Sequence, residues 1–214
     1  MKKVILVLLL IICVASPAFA LSVESQIREF AAREYPNDSR MQQYVYNKQI
    51  SAYRYMRAVK DADVKQIAIR EYPTDYAMQE YTYDKQLSAK RYMSTVQDRE
   101  VKKIALQEYP NDYSMQKYTY DKQLSAKRYM ATVTDREVKR IALREYPADY
   151  SMQKYTYDKQ LSAKQYMNAQ GYSTAKSRAQ REYPNDYAMQ KYTYDRILSG
   201  RWRPQNTCED SGCQ

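Results

Sequence analysis

We predict an all-α fold in which five helical hairpins of 37 residues stack as a short α-solenoid. Two observations lead to this prediction. The string Glu-Tyr-Pro recurs five times at intervals of 37 residues, with no insertion or deletion between copies. Between the first and last strings, apolar residues follow helical spacing and the only helix-breaking residue besides the five prolines is Gly171. A fixed period of roughly 20 to 50 residues is typical of arrays whose units bury apolar faces against their neighbours.

Residues 1–20 have the pattern of a secretory signal peptide. Lys2 and Lys3 form a basic start, an apolar run extends from Val4 to Val14, and Ala18-Phe19-Ala20 has the small-x-small pattern of a cleavage site. The run is about half of the ~20 residues that a membrane-spanning helix needs. We therefore expect an exported protein, periplasmic or extracellular, with no transmembrane segment after cleavage.

The repeat domain is predicted over residues 21–203, followed by a polar tail over 204–214. In an oxidising compartment we expect Cys208 and Cys213 in this tail to form a disulfide. The repeat units, the last of which overlaps the tail, are 24–60, 61–97, 98–134, 135–171 and 172–208.

The first part of each unit predicts a short amphipathic helix. In the middle unit Asp98 is a good N-cap, and Val101, Ile104 and Ala105 follow at helical spacing. The helix should end near Glu108 after about three turns, because the residue before a proline is disfavoured in the α conformation.

The second part predicts a longer helix that begins after Asn111 or Asp112 and runs to about Met130. Its apolar residues fall on two sides. One stripe is narrow and contains Tyr113, Tyr120 and Leu124, and the other is broad and contains Met115, Tyr118, Ala126, Tyr129 and Met130. A helix that is apolar on two sides must lie between two neighbours. One short and one long helix per unit give an array similar to tetratricopeptide arrays in architecture only.

The joint between units leaves an alternative open. Residues 94–98 contain neither Gly nor Pro, so the long helix could continue into the next short one as a single rod. We favour a break, because β-branched residues followed by Asp disfavour helix continuation and Gly171 lies at the last joint.

Each predicted turn contains a proline and an aspartate. Proline ends the short helix and the aspartate two residues later caps the long one. These turn and capping residues are Pro36, Asp38, Pro73, Asp75, Pro110, Asp112, Pro147, Asp149, Pro184 and Asp186.

Composition argues against an enzyme. The chain has no histidine, which excludes Ser-His-Asp triads and imidazole metal sites, and two of its three cysteines lie in the tail. Each carboxylate pair recurs with the repeat, whereas an active site is normally one convergent pocket. We expect no catalytic residue, no cofactor and no metal site.

Charged residues recur on the predicted surface. Without Lys2 and Lys3 the chain has 33 basic and 25 acidic residues, a formal charge of +8 that favours anionic partners non-specifically. Interleaved aspartates such as Asp121 should largely neutralise the basic rows, as on an ordinary solvated face. Helix electrostatics do not explain the glutamate before each Tyr-Pro, because the C-terminus of a helix disfavours an anion. The candidate interaction surface comprises Glu34, Glu71, Glu108, Glu145, Glu182, Arg54, Arg91, Arg128, Lys117, Lys154 and Lys191.

The 25 tyrosines allow three interpretations. They could fill the core and its boundary, present stacking faces and hydrogen-bond donors to a polymer, or support self-association outside the cell. The function that we expect is a non-catalytic interaction scaffold with a protein, anionic or carbohydrate partner. The alternatives are a binder of carbohydrate or cell-envelope polymer and a self-assembling matrix protein. Secretion argues against nucleic acid as the partner.

Overall fold

The structure is a computed structural model that describes residues 22–200. Within these residues the chain forms ten α-helices and no β-strand. The predicted signal peptide over 1–20 and the predicted Cys208–Cys213 disulfide lie outside the described residues. The helices are α1 Val23–Glu34, α2 Ser39–Ala58, α3 Ala62–Glu71, α4 Tyr76–Thr95, α5 Arg99–Glu108, α6 Tyr113–Thr132, α7 Arg136–Glu145, α8 Tyr150–Ala169, α9 Thr174–Glu182 and α10 Tyr187–Leu198.

The all-α prediction is confirmed, and the helix ends follow from local chemistry. Each short helix ends at the glutamate of Glu-Tyr-Pro. The next tyrosine leaves the helical conformation, for example Tyr109 with φ −131° and ψ 71°, because proline follows it. The helices are also interrupted at the joints, where Val133 is extended with φ −67° and ψ 141°. The alternative of one continuous rod is therefore wrong.

The chain divides into two compact units, one ending at Asp84 and one beginning at Lys85. In the first unit, α1 packs on α2 and buries Ile27 and Ala31. The Tyr53 ring of α2 meets the Tyr76 ring edge to face, with the ring centres 5.1 Å apart. Tyr53 stands at the position that lysine occupies in the next three copies.

In the second unit, each short helix packs against the long helix that follows it, and successive long helices pack side by side. The hairpins are α5–α6, α7–α8 and α9–α10, and the long-helix contacts join α6 to α8 and α8 to α10. This is the packing of a helical repeat array.

The core of the second unit shows that α6 is buried on two sides, as predicted. Tyr120 joins Val101 and Ala105 of α5 in one buried cluster. Met130, near the end of the same helix, joins a cluster with Val138, Ala142 and Tyr157 of the next hairpin. The prediction that Tyr118 belongs to the broad apolar stripe is wrong, because that side chain is 60% exposed. None of the described helices is long and apolar enough to cross a membrane.

Candidate interaction surface

The predicted capping aspartates lie at the starts of the long helices. In each case Oδ1 accepts a hydrogen bond from the backbone N–H of the methionine three residues later, at 2.9–3.0 Å. The five pairs are Asp38–Met41, Asp75–Met78, Asp112–Met115, Asp149–Met152 and Asp186–Met189. These aspartates and the neighbouring prolines therefore shape the turns.

A glutamine from the preceding long helix holds the same helix start. Gln123 of α6 is buried, donates a hydrogen bond to Oδ1 of Asp149 at 2.9 Å, and accepts one from the Ser151 N–H at 3.1 Å. Gln49, Gln86 and Gln160 make the equivalent pair of hydrogen bonds. Our sequence reasoning missed this role, although the glutamine of Asp-Lys-Gln recurs with the repeat.

A second glutamine closes the turn from within its own hairpin. Nε2 of Gln116 donates to the backbone carbonyl of Tyr109 at 2.7 Å. The four turns from Pro73 to Pro184 are bonded by both glutamines, so their residues already have partners within the fold and are poor candidates for binding another molecule.

Tyrosine hydroxyls join neighbouring long helices. Tyr129 of α6 donates to Oδ1 of Asp158 in α8 at 2.5 Å, and Lys154 binds the other carboxylate oxygen at 2.7 Å. The ammonium of Lys154 also lies 4.6 Å from the centre of the Tyr129 ring. The hydrogen bond to Asp158, helped by desolvation, raises the pKa of Tyr129 to about 12. Desolvation opposes ionisation of Asp158, but the hydrogen bonds from Lys154 and Tyr129 outweigh it and lower its pKa.

The same arrangement recurs along the chain. It comprises Tyr92, Asp121 and Lys117, and again Tyr166, Asp195 and Lys191. In the first unit Tyr55 donates to Asp84, and Glu80 stands at the lysine position. The predicted lysine row is thus partly used to pair the aspartates of its own helices.

A different lysine ties three helices together. Lys164 of α8 binds Asp135 and Glu137 at the start of α7, each at 2.9 Å, and lies 5.2 Å from the Tyr187 ring of α10. Hydrogen bonds to the two carboxylates raise the pKa of Lys164. Lys127 makes the equivalent contacts with Asp98, Glu100 and Tyr150. Sequence reasoning assigned no role to this repeated lysine.

One tyrosine on each long helix of the second unit is exposed. Tyr118 and Tyr155 are 60% exposed and Tyr192 is 53% exposed, whereas the tyrosine two residues later is buried in each case. Tyr118 and Tyr155 make no hydrogen bond or ring contact with another residue of the described chain, and the Tyr192 hydroxyl accepts a hydrogen bond from Arg196. In the first unit Tyr44 and Tyr81 are exposed at the same repeat position.

Basic and hydroxyl side chains accompany these tyrosines. A lysine or arginine follows each one after four residues and a serine after seven, which are the spacings of one helix face. We call this set the tyrosine face, and it consists of Tyr118, Lys122, Ser125, Tyr155, Lys159, Ser162, Tyr192, Arg196 and Ser199. All of these side chains are exposed except Arg196, which is half-buried.

The remaining predicted surface residues are exposed, the arginines on long helices and the glutamates at the ends of short helices. Arg91 and Arg128 are exposed on long helices of the second unit, and Arg54 is exposed on α2 of the first. The glutamates of Glu-Tyr-Pro are exposed at the ends of the short helices, and none forms an ion pair with another described residue. These glutamates are Glu34, Glu71, Glu108, Glu145 and Glu182. Glu108 raises the pKa of the adjacent Tyr109 through its negative charge.

Charged side chains that line a groove of the second unit partly pair with one another. One groove of about 450 Å³ is lined by Asp98, Tyr120, Leu124, Lys127 and Arg128. Its lysine and aspartate are already paired with each other. Among the described residues, no three His, Cys, Asp or Glu side chains cluster as metal ligands would.

No protein-family model matches the chain, and neither a curated protein nor a solved structure is significantly similar to it.

Proposed function

We propose that the protein is a non-catalytic interaction scaffold that binds its partner along the tyrosine face. The proposal includes five 37-residue hairpins stacked as a short α-solenoid, and export after cleavage of the signal peptide. In most copies of the repeat, the other tyrosines on the long helices are either buried or bonded to a neighbouring helix. The exposed tyrosines serve neither purpose, and this is the observation on which the proposal depends.

The scaffold has the rigidity that a repeated binding surface needs. Hydrogen bonds from Gln123 and Tyr129 fix α8 against α6, so side chains at equivalent positions of the two helices keep a constant separation. A preorganised backbone loses little conformational entropy on binding, which favours affinity.

Site-specific photo-crosslinking in cells of the source organism tests the proposal. A photoreactive residue at Ser125 samples the tyrosine face, and one at Gln107 samples the exposed side of α5. We expect a discrete adduct from position 125 and none from position 107. Equal adducts from both positions, or none from either, would overturn the scaffold proposal. Fractionation and N-terminal sequencing test export, with a mature N-terminus near Leu21 expected.

A further inference from the structure

We propose that the tyrosine face binds an acidic polysaccharide. This inference rests on the proposed function, because it names the chemistry of the partner that the same surface would take. It follows from the charge of the face, from the side chains that the face lacks, and from its repetition along the chain.

The tyrosine face is positively charged because the carboxylates of its helices bond to residues outside the face. Each of α6, α8 and α10 contains a single acidic residue, Asp121, Asp158 or Asp195. Each of these three bonds to a tyrosine of the preceding long helix and to a lysine of its own helix. The exposed Lys122 and Lys159 therefore have no carboxylate of their own helix left to pair with. The aspartates instead pair with Lys117, Lys154 and Lys191, which belong to the basic rows that they were expected to neutralise.

The short helices carry exposed charges of both signs. On α7, Arg136, Arg140 and Arg144 are exposed beside Glu137 and Glu145. Mixed charges of this kind suit a solvated surface, whereas cations without carboxylates favour an anionic ligand.

On α6 and α8 the face combines exposed tyrosines with lysine and serine, without an exposed large aliphatic side chain. The exposed side chains of α6 and α8 include no Leu, Ile, Val, Met or Phe, so the rings of Tyr118 and Tyr155 are the only large apolar groups exposed on these two helices. On α10, Leu198 is exposed next to Ser199. Aromatic anchors at a protein interface enter fully desolvated pockets, and the core of such an interface is depleted of charged residues such as the lysines beside these rings. Flat tyrosine rings flanked by lysine and serine instead match sugar rings, which offer apolar C–H faces edged by hydroxyl and carboxylate groups.

The repetition of the face favours a polymer. Side-by-side helices lie about 8–10 Å apart, so the exposed tyrosines of α6, α8 and α10 recur at roughly that interval. A ligand whose own chemistry repeats can contact several of them at once. Each additional contact then raises the overall affinity without any new kind of interaction.

Isothermal titration of the purified full-length chain with three polymers tests the inference. The probes are polygalacturonate, which is an acidic glycan, dextran, which is a neutral glycan, and polyglutamate, which is an acidic peptide. We expect binding to polygalacturonate that weakens as salt is added. The triple variant Y118A/Y155A/Y192A should bind roughly tenfold or more weakly, because three repeated contacts are lost.

Matched control variants distinguish binding at the tyrosine face from binding to any positive charge or any exposed tyrosine. Tyr172→Ala removes a tyrosine that is 91% exposed but lies outside the face, and it should bind like the unchanged chain. K122Q/K159Q should weaken binding more than K103Q/R140Q, which removes the same charge from exposed sites on the short helices. A far-ultraviolet circular dichroism spectrum equal to that of the unchanged chain confirms that each variant is folded.

The outcomes distinguish this inference from the scaffold proposal. Equal loss in face and control variants would show non-specific charge binding and would overturn the site. Binding of polyglutamate as tightly as polygalacturonate would overturn the glycan assignment. In either case, a crosslink specific to position 125 would leave the scaffold proposal standing.

Discussion

Gln123 shows how one side chain can fix the position of a neighbouring helix. Its amide supplies both a donor and an acceptor, so it bonds the carboxylate of Asp149 and the N–H of Ser151 together. A helix start leaves backbone N–H groups without intrahelical partners, and here a neighbouring helix satisfies one of them. The contact therefore combines capping with packing between hairpins.

Gln123→Ala should lower the free energy of unfolding by about 2–3 kcal/mol. The substitution leaves the Ser151 N–H without its acceptor and opens a gap in a buried site. Urea unfolding measures the effect as a lower midpoint at unchanged slope. Lys122→Ala, at the exposed neighbouring position, should change stability by no more than about 0.5 kcal/mol. Equal effects of the two substitutions would contradict the assigned role of Gln123.

Residue roles that depend on local chemistry could be predicted, and roles that depend on distant partners could not. Asp112 was recognised as a cap because capping requires only the next three residues. Gln123 was missed because its partner lies 26 residues away, on a helix whose direction the sequence did not specify. Tyr118 was placed in the wrong environment because a helical wheel shows the spread of apolar residues but not where the neighbouring helix ends.

Between helices, the joints depend on extended residues rather than on glycine. Gln170 ends α8 in an extended conformation with φ −76° and ψ 136°, and Ser173 caps α9. Gly171 lies between them without positive φ, whereas Gly200 has φ 69°. The break at this joint was predicted correctly, but the structure gives Gly171 no conformational part in it.

Gly171→Ala should therefore raise the free energy of unfolding by about 0.5 kcal/mol. A Cβ at this position would meet no atom within 4 Å, and alanine reduces the conformational entropy of the unfolded chain. Gly200→Ala is the matched control and should destabilise the chain by about 1 kcal/mol, because its backbone is left-handed. Thermal and urea unfolding of both variants measure the difference. Destabilisation by Gly171→Ala would contradict the assignment.

The arrangement of helices was predictable to the extent that it follows from periodicity. The Glu-Tyr-Pro spacing predicts where α5 ends and α6 begins, since proline and aspartate act on adjacent residues. The ties between α6 and α8 were not predictable, because Tyr129 and Asp158 are 29 residues apart and each has an ordinary surface pattern. Their recurrence is visible in the sequence, but recurrence alone does not show which residues bond to each other.

Across the chain, the absence of histidine leaves few groups that titrate near neutral pH. The bonded carboxylates, such as Asp135 and Asp158, have lowered pKa values. Their contribution to stability is present above the unfolded pKa near 3.8 and is lost as the pH falls through the lower folded value. Stability should therefore stay nearly constant between about pH 5 and 9 and fall on either side of that range.

Unfolding at alkaline pH tests the hydrogen bonds between tyrosines and aspartates directly. Tyr55, Tyr92 and Tyr129 have their pKa values raised from 10.0 to about 12 by hydrogen bonds to aspartates. The hydrogen bond that raises the pKa of each tyrosine stabilises the fold fully below pH 10. That contribution disappears as the pH rises through about 12. Tyr129→Phe should cost about 1 kcal/mol at neutral pH, and this difference from the unchanged chain should shrink between pH 10 and 12.

Tyr118→Phe is the matched control for this measurement, because its hydroxyl bonds to no other described residue. Its unfolding free energy should follow that of the unchanged chain across the whole alkaline range. Denaturant unfolding at a series of pH values gives both curves. A nonzero cost of Tyr129→Phe that stayed constant through pH 12 would show that the stabilisation by the hydroxyl does not depend on its protonation. A cost near zero at every pH would show that the hydroxyl adds nothing to the contact between α6 and α8, since a phenylalanine ring keeps the contact with Lys154.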